Sequence, residues 1–227
     1  QDAWNKRVGE LRQIANAPTD PNTKLAIDLI PADKLGGYIN AATAEANRQQ
    51  ATYRATLGST ESDHLAAFSN GQTVENPMTQ AQFVKGYGEI EGNQRYTNYQ
   101  ANMQLGADIQ TVKTMPISQQ ADFLAAKKPS PDQPGYDLAT KRYDMLATAM
   151  DNMNKARATD PIGYAMQLKI GGTEPLQIEK PDVLGKQLAS RIGVAQTMNS
   201  EYGTPYSLLS KSEASALSAG LNKMTPE

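Results

Sequence analysis

With 227 residues, the chain is long enough for one large or two modest domains around a real core. Its 22 basic and 24 acidic residues are interspersed and sum to a formal charge of -2, which argues against the clustered Lys/Arg face of a duplex-reading domain. The lack of cysteine excludes disulfides and thiolate metal sites, and no apolar run reaches the roughly 18 residues expected of a membrane span.

The first predicted helix covers residues 2–16, with Asp2 as its cap and Trp4, Val8, Leu11 and Ile14 on one face. Pro18 and Pro21 break it, and an apolar segment at 25–30 stops at Pro31. A long helix over 32–57 follows. Leu35, Tyr38, Ile39, Ala42, Ala46, Gln49, Tyr53 and Leu57 trace its inward stripe, and Gly58 ends it. Thr60 with Asp63 resembles a capping box for a short helix through Phe68, which Asn70-Gly71 closes.

Thr79 and Gln82 form the next capping box, and Tyr87-Gly88 marks a break. A longer helix then carries Tyr96, Tyr99, Met103 and Ile109 as far as Thr114. Pro116 ends it, and Ser118 caps a short helix through Ala126. Pro129, Pro131 and Pro134 make 128–135 the best linker, separating a helical domain at 1–127 from another at 136–227. The alternative boundary is 170–181.

The helix over 136–158 shows Tyr143, Leu146, Met150 and Met153 at alternating spacings of three and four, a candidate packing or assembly stripe. Asp160-Pro161 starts a further helix, with Asp at the cap and Pro in the first turn. Leu176-Gln177-Ile178 could form one short strand. Asp182 caps a helix through Tyr202 with Leu184, Leu188, Ile192 and Ala195 inward, and Ser210 with Glu213 caps the last helix, 214–224. No useful period-2 segment and no fixed repeat occurs. The expected fold is all-α, an elongated multi-helix bundle with Pro/Gly-rich connections and at most one minor strand.

Composition agrees with that expectation. Hydrophobic residues are 39% and aromatics 6%, with a mean hydropathy of -0.58. Alanine is plentiful and Val and Ile are scarce, which favours helix over sheet. Three Phe and one Trp leave little bulky apolar mass, so amphipathic helices are expected to complete their burial against partners. No signal-peptide pattern precedes the first helix, and both ends, Gln1 and Pro226-Glu227, read as cut from a longer parent.

No residue set rises to a catalytic, cofactor-binding or metal assignment. The lone His64 has Glu61 and Asp63 nearby but no second imidazole or thiolate, so it reads as a satisfied helix histidine. Glu61-Ser62 matches the acid/base dipeptide of lytic transglycosylases, yet the Gly-Leu-Met-Gln-like segment that follows it there is missing, and a capping role fits better. Gly86-Tyr87-Gly88-Glu89-Ile90-Glu91-Gly92 has the wrong spacing for a phosphate loop and carries two acids that would repel a phosphate. Tyr96, Tyr99 and Tyr143 with Met103, Met145, Met150 and Met153 could form a stacking platform, but at helical spacing they read as core.

Four stretches share a pattern: Phe83 through Tyr99 (FVKGYGEIEGNQRYTNY), Leu105-Gly106-Ala107-Asp108-Ile109, the 116–128 helix, and Asp160-Pro161-Ile162-Gly163-Tyr164-Ala165. Together with the 32–57 helix and Ala66-Ala67-Phe68, they resemble the middle region of the large internal virion proteins of short-tailed bacteriophages and related prophages. These are ejection proteins, which leave the capsid ahead of the genome. The resemblance covers about residues 30–170. It implies a non-catalytic helical segment that helps build a genome-delivery channel, with no cofactor or small-molecule ligand. It also implies association with copies of itself and with other virion proteins, non-specific contact with phage DNA, and passage from the virion interior to the host envelope. Some such parents carry a lytic transglycosylase domain, whose motif these residues lack. A tape-measure segment, a protein-binding adaptor, and the helical accessory part of a peptidoglycan hydrolase fit the same composition.

Overall fold

A computed structural model of the chain describes residues 32–221, preceded by Lys6, Gly9, Glu10 and Gln13. The chain is 76% helical, with eight helices and no strand among the described residues. The helices are α1 (Ala32–Ser69), α2 (Gln80–Tyr87), α3 (Glu89–Lys113), α4 (Ile117–Ala126), α5 (Tyr136–Thr159), α6 (Pro161–Gln167), α7 (Pro181–Tyr202) and α8 (Lys211–Leu221). The expected first helix, with its Trp4, Val8, Leu11 and Ile14 face, and the 25–30 segment lie outside the described residues.

The described residues fall into two compact units, one up to residue 66 together with 74–100, the other of 67–73 and from 101 onward. In the first unit, α1 runs through Gly58, where the sequence suggests a stop. Gly58 keeps a helical backbone, and a Cβ there would meet the Tyr87 hydroxyl at 3.4 Å, an ordinary contact, so the glycine does not end the helix. The Thr60 hydroxyl donates backward to the Thr56 carbonyl (3.0 Å) and starts no new helix. Within α1, Ala42, Ala46 and Leu57 are buried as expected, whereas Tyr38 is exposed.

The α2 start follows the sequence, with Gln82 Oε1 accepting the Thr79 backbone N–H at 2.7 Å. Gly88, at φ +85, separates α2 from α3. At Gly92 a side chain would sit 2.6–2.7 Å from the Phe83 and Val84 backbone, so only glycine lets α3 cross α2 this closely. Fully buried Phe83 packs against Tyr99, Tyr96 and Tyr87 with ring centroids 5.5, 5.9 and 6.4 Å away. The last carbonyls of α2, on Lys85 and Gly86, accept from Gln50, and Gly86 also accepts from Arg54.

Apolar clusters organise the described residues of the second unit. One joins Leu105, Ile109 and Val112 of α3 to Leu146 and Met150 of α5, with Phe123 and Leu124 of α4 packed on it. The other joins Ile162, Tyr164 and Ala165 of α6 to Val194, Met198 and Tyr202 of α7. The first cluster decides the domain question. Residues on either side of 128–135 share one core, so that proline-rich stretch is an exposed turn inside the second unit, with Gln133 N–H donating to Ser130 O at 3.1 Å. The unit boundaries fall elsewhere, at 66/67, 73/74 and 100/101.

Asp160 caps α6 as read, accepting the Gly163 N–H at 2.9 Å. Ser118 and Asp182 do not cap. Each lies inside a first turn that begins one residue earlier, after Pro116 and at Pro181 respectively. Leu176-Gln177-Ile178 is not a strand, because side chains take its backbone donors: Leu176 N–H goes to Glu213 Oε1 (3.0 Å) and Gln177 N–H to Gln187 Oε1 (2.8 Å). The buried face of α7 keeps Ala195, with Leu184 and Leu188 half-buried, and departs from the expected one at Ile192. Ile192, expected inward, is 43% exposed, and Arg191 takes the inward position beside Val194, Ala195, Met198 and Tyr202.

Candidate functional site

The strongest polar constellation is built where α7, α8 and two loops of the second unit meet. Arg191 is fully buried and forms a bidentate pair with Glu213, Nη1 to Oε2 at 2.5 Å and Nη2 to Oε1 at 2.8 Å. The same two nitrogens also reach Leu208 O (Nη1, 3.1 Å) and Glu174 O (Nη2, 2.6 Å), while the buried Nε has no partner. Glu213 also accepts from Leu176 N–H, Ser210 N–H and the Ser210 hydroxyl, each at 3.0 Å, while its own N–H returns to Ser210 Oγ at 3.3 Å. The last exchange is the capping box legible in the sequence. Burial alone would raise the Glu213 pKa, but the Arg191 guanidinium and the Ser210 and Leu176 donors outweigh it and hold the carboxyl at about 2. A carboxylate fixed this firmly in the charged form ties segments together and is a poor proton donor near neutral pH.

A second buried arginine closes the end of α3. Arg157 Nη2 donates to Val112 O (2.8 Å) and Lys113 O (2.7 Å), carbonyls that the helix itself leaves unpaired. Its guanidinium lies 5.1 Å from the Tyr164 ring centre and 4.7 Å from that of Tyr202. The Tyr202 hydroxyl donates to Thr114 O at 3.0 Å, and burial pushes its pKa up. A cation at a helix C-terminus also meets the negative end of the helix dipole.

In the first unit, His64 Nδ1 lies 2.7 Å from the Tyr99 hydroxyl, which accepts the Met78 backbone N–H at 3.0 Å. The Tyr99 pKa is raised, chiefly by burial. Glu61 is in mid-helix, paired with Arg95 at 3.0 Å, so it is neither a capping residue nor the acid of an open cleft. Arg95 in turn stacks 4.0 Å from the Tyr87 ring centre and pairs with Glu91 at 2.8 Å. Within the Gly86–Gly92 stretch, Glu91 pairs with Arg95, Gly86 and Gly92 lie against neighbouring helices, and Gly88 makes the positive-φ break.

The methionine and tyrosine set divides. Leu146 and Met150 of the 136–158 stripe are buried, Met153 packs on the same cluster, and Tyr143 is half-buried. The stripe is therefore occupied within the chain. Tyr99 is core, whereas Met103 and Met145 are partly exposed. Met145 borders a shallow cleft of about 360 Å³, floored by Leu105 and Ile109 and rimmed by Lys141, Asp144 and Asn152.

Sequence reasoning missed Arg157 and Arg191, although a signal exists. Arg157 continues the spacing of Tyr143, Leu146, Met150 and Met153, and Arg191 continues that of Leu184 and Leu188. A long basic residue on an inward stripe needs a buried acceptor. Among the described residues no group of acidic or imidazole side chains could hold a metal ion, and no helix is long and apolar enough to cross a membrane. Comparisons with protein-family models, curated proteins and solved structures find no match to this chain.

Proposed function

We propose that the chain is a structural segment of an internal virion protein of a short-tailed bacteriophage or prophage, and that it contributes helices to the channel through which the genome leaves. The observation that carries the proposal is the packing of the stretch most like those proteins. Between Phe83 and Tyr99, Gly92 lets α3 cross α2, and Phe83, Tyr96 and Tyr99 fill the junction, so its distinctive residues serve helix-to-helix contact. Gly106, in the second such stretch, likewise lies against Phe68, where a Cβ would stand 3.0 Å from its Cα.

The polar groups with chemical potential are engaged in holding elements together: Glu61 with Arg95, His64 with Tyr99, Glu213 with Arg191. With the α5 stripe used internally, self-association would draw on other apolar groups, such as Met145, Ile178 and Ile192 in the second unit. Mass spectrometry of purified virions, with cross-linking before disassembly, tests the reading. Peptides of this sequence in virions, cross-linked to copies of themselves or to sister virion proteins, would support it. Their absence would overturn it, and turnover of purified peptidoglycan by this chain would assign it to a cell-wall hydrolase.

A further inference from the structure

The C-terminal end of α1 carries Asn70-Gly71 in a turn that is doubly fastened. Gly71, at φ +62, donates its N–H to Phe68 O at 2.8 Å, and Gln72 N–H reaches Ala67 O at 2.9 Å, the two bonds of a Schellman cap. The Lys113 ammonium donates to the carbonyls of both Asn70 and Gly71, and a Cβ on Gly71 would lie 2.5 Å from Ile109 Cγ2. Asn70 itself is exposed to solvent. Helix-capping geometry thus places next to an asparagine the one residue whose amide nitrogen has no neighbouring Cβ to hinder its attack.

We propose that Asn70-Gly71 is a site of intramolecular modification gated by opening of this turn. In the reaction the Gly71 amide nitrogen gives up its proton to solvent base and bonds to Asn70 Cγ. The Cγ–Nδ2 bond breaks, Nδ2 leaves as ammonia after taking up a proton, and a five-membered succinimide remains. Water adds to either ring carbonyl and opens the ring to aspartate or isoaspartate. The net change is one water consumed and one ammonia released, with no oxidant or reductant.

While Gly71 N–H is held by Phe68 O, its nitrogen can neither lose that proton readily nor swing toward Cγ. The reaction therefore runs from the open turn, at a rate set by the open fraction. Its product does not restore the cap. A new carboxylate stands at the negative end of α1, and an isoaspartate lengthens the backbone by a methylene where two hydrogen bonds must align. Modification is thus a lasting record that the turn has opened.

The test incubates the full chain at neutral pH, folded and in denaturant, and maps residue 70 by mass spectrometry with fragmentation that separates aspartate from isoaspartate. The expected result is modification centred on Asn70, about tenfold or more slower in the folded chain. Lys113→Met, which frees the two turn carbonyls, should speed the folded reaction several-fold and leave the denatured rate unchanged. Equal rates in folded and denatured chains would overturn the gate, and an unmodified residue 70 in denaturant would overturn the site.

Discussion

Replacing Glu213 with glutamine should destabilise the second unit by an amount that shrinks as the solution is acidified. The folded-state carboxyl titrates at about 2, against 4.5 for a free one. At roughly 1.4 kcal/mol per pKa unit, the charged form contributes about 3 kcal/mol to stability. The sign follows from the direction of the shift. Because the folded pKa lies below the unfolded one, the contribution is fully present above about pH 4.5 and is lost as pH falls toward 2. Glutamine keeps the shape but leaves the fully buried Arg191 without a counter-charge. Urea unfolding followed by circular dichroism at neutral pH should therefore show a loss of about 3 kcal/mol for Glu213→Gln, narrowing to under about 1 kcal/mol near pH 2. A difference that stays constant across that range would refute the reasoning, since a loss from packing alone does not depend on protonation. Adding Arg191→Met to Glu213→Leu should recover part of the loss, because no charge is then stranded, though Leu176, Ser210 and the Leu208 and Glu174 carbonyls still lose partners.

Arg157→Lys should cost almost as much as Arg157→Met, about 2–4 kcal/mol by denaturant titration, because one ammonium cannot span the Val112 and Lys113 carbonyls while stacking between Tyr164 and Tyr202. Gly92→Ala should lower stability by about 1–3 kcal/mol or more, since the Phe83 and Val84 backbone must move, and thermal melts would show it. Leu146→Ala should cost about 2–5 kcal/mol by the same titration, as expected for a buried leucine at the α3–α5 contact. Limited proteolysis should nick 128–135 early, and the two fragments should co-elute on size exclusion, because Phe123 and Leu124 remain packed on the cluster that holds Leu146 and Met150.

Local signals were legible in the sequence wherever one residue type has one physical use. The boxes at Thr79–Gln82 and Ser210–Glu213, the Asp160-Pro161 start and the Asn70-Gly71 stop all hold. Glycine and proline misled where they have several uses. Gly58 lies inside a continuous α1 and ends nothing, and the prolines of 128–135 shape a turn between helices of one core. A linker and a tight surface turn draw on the same residues, and only the contacts on either side tell them apart. On α7 the expected stripe departs at one position, for a different reason. Ile192 was placed inward by hydrophobicity, but the interior there holds a carboxylate and two carbonyls, and the residue that satisfies them is Arg191.

The buried arginines also bear on how a chain with three Phe and one Trp stays folded. Helix ends are its main unpaid hydrogen-bonding demand, since each leaves carbonyls without an intrahelical partner. Arg157 meets that demand at α3 and Arg54 with Gln50 at α2, while Arg191 gathers the Glu174 and Leu208 carbonyls of two loops. Each arginine fixes one element against another in one geometry, because a planar fork of donors fits few arrangements of acceptors. The interior therefore gains definition from directed polar bonds where bulky apolar side chains are few. Hydrophobic groups left over, such as Met145 and Ile192, then lie outside that framework, and substituting them should leave the fold intact.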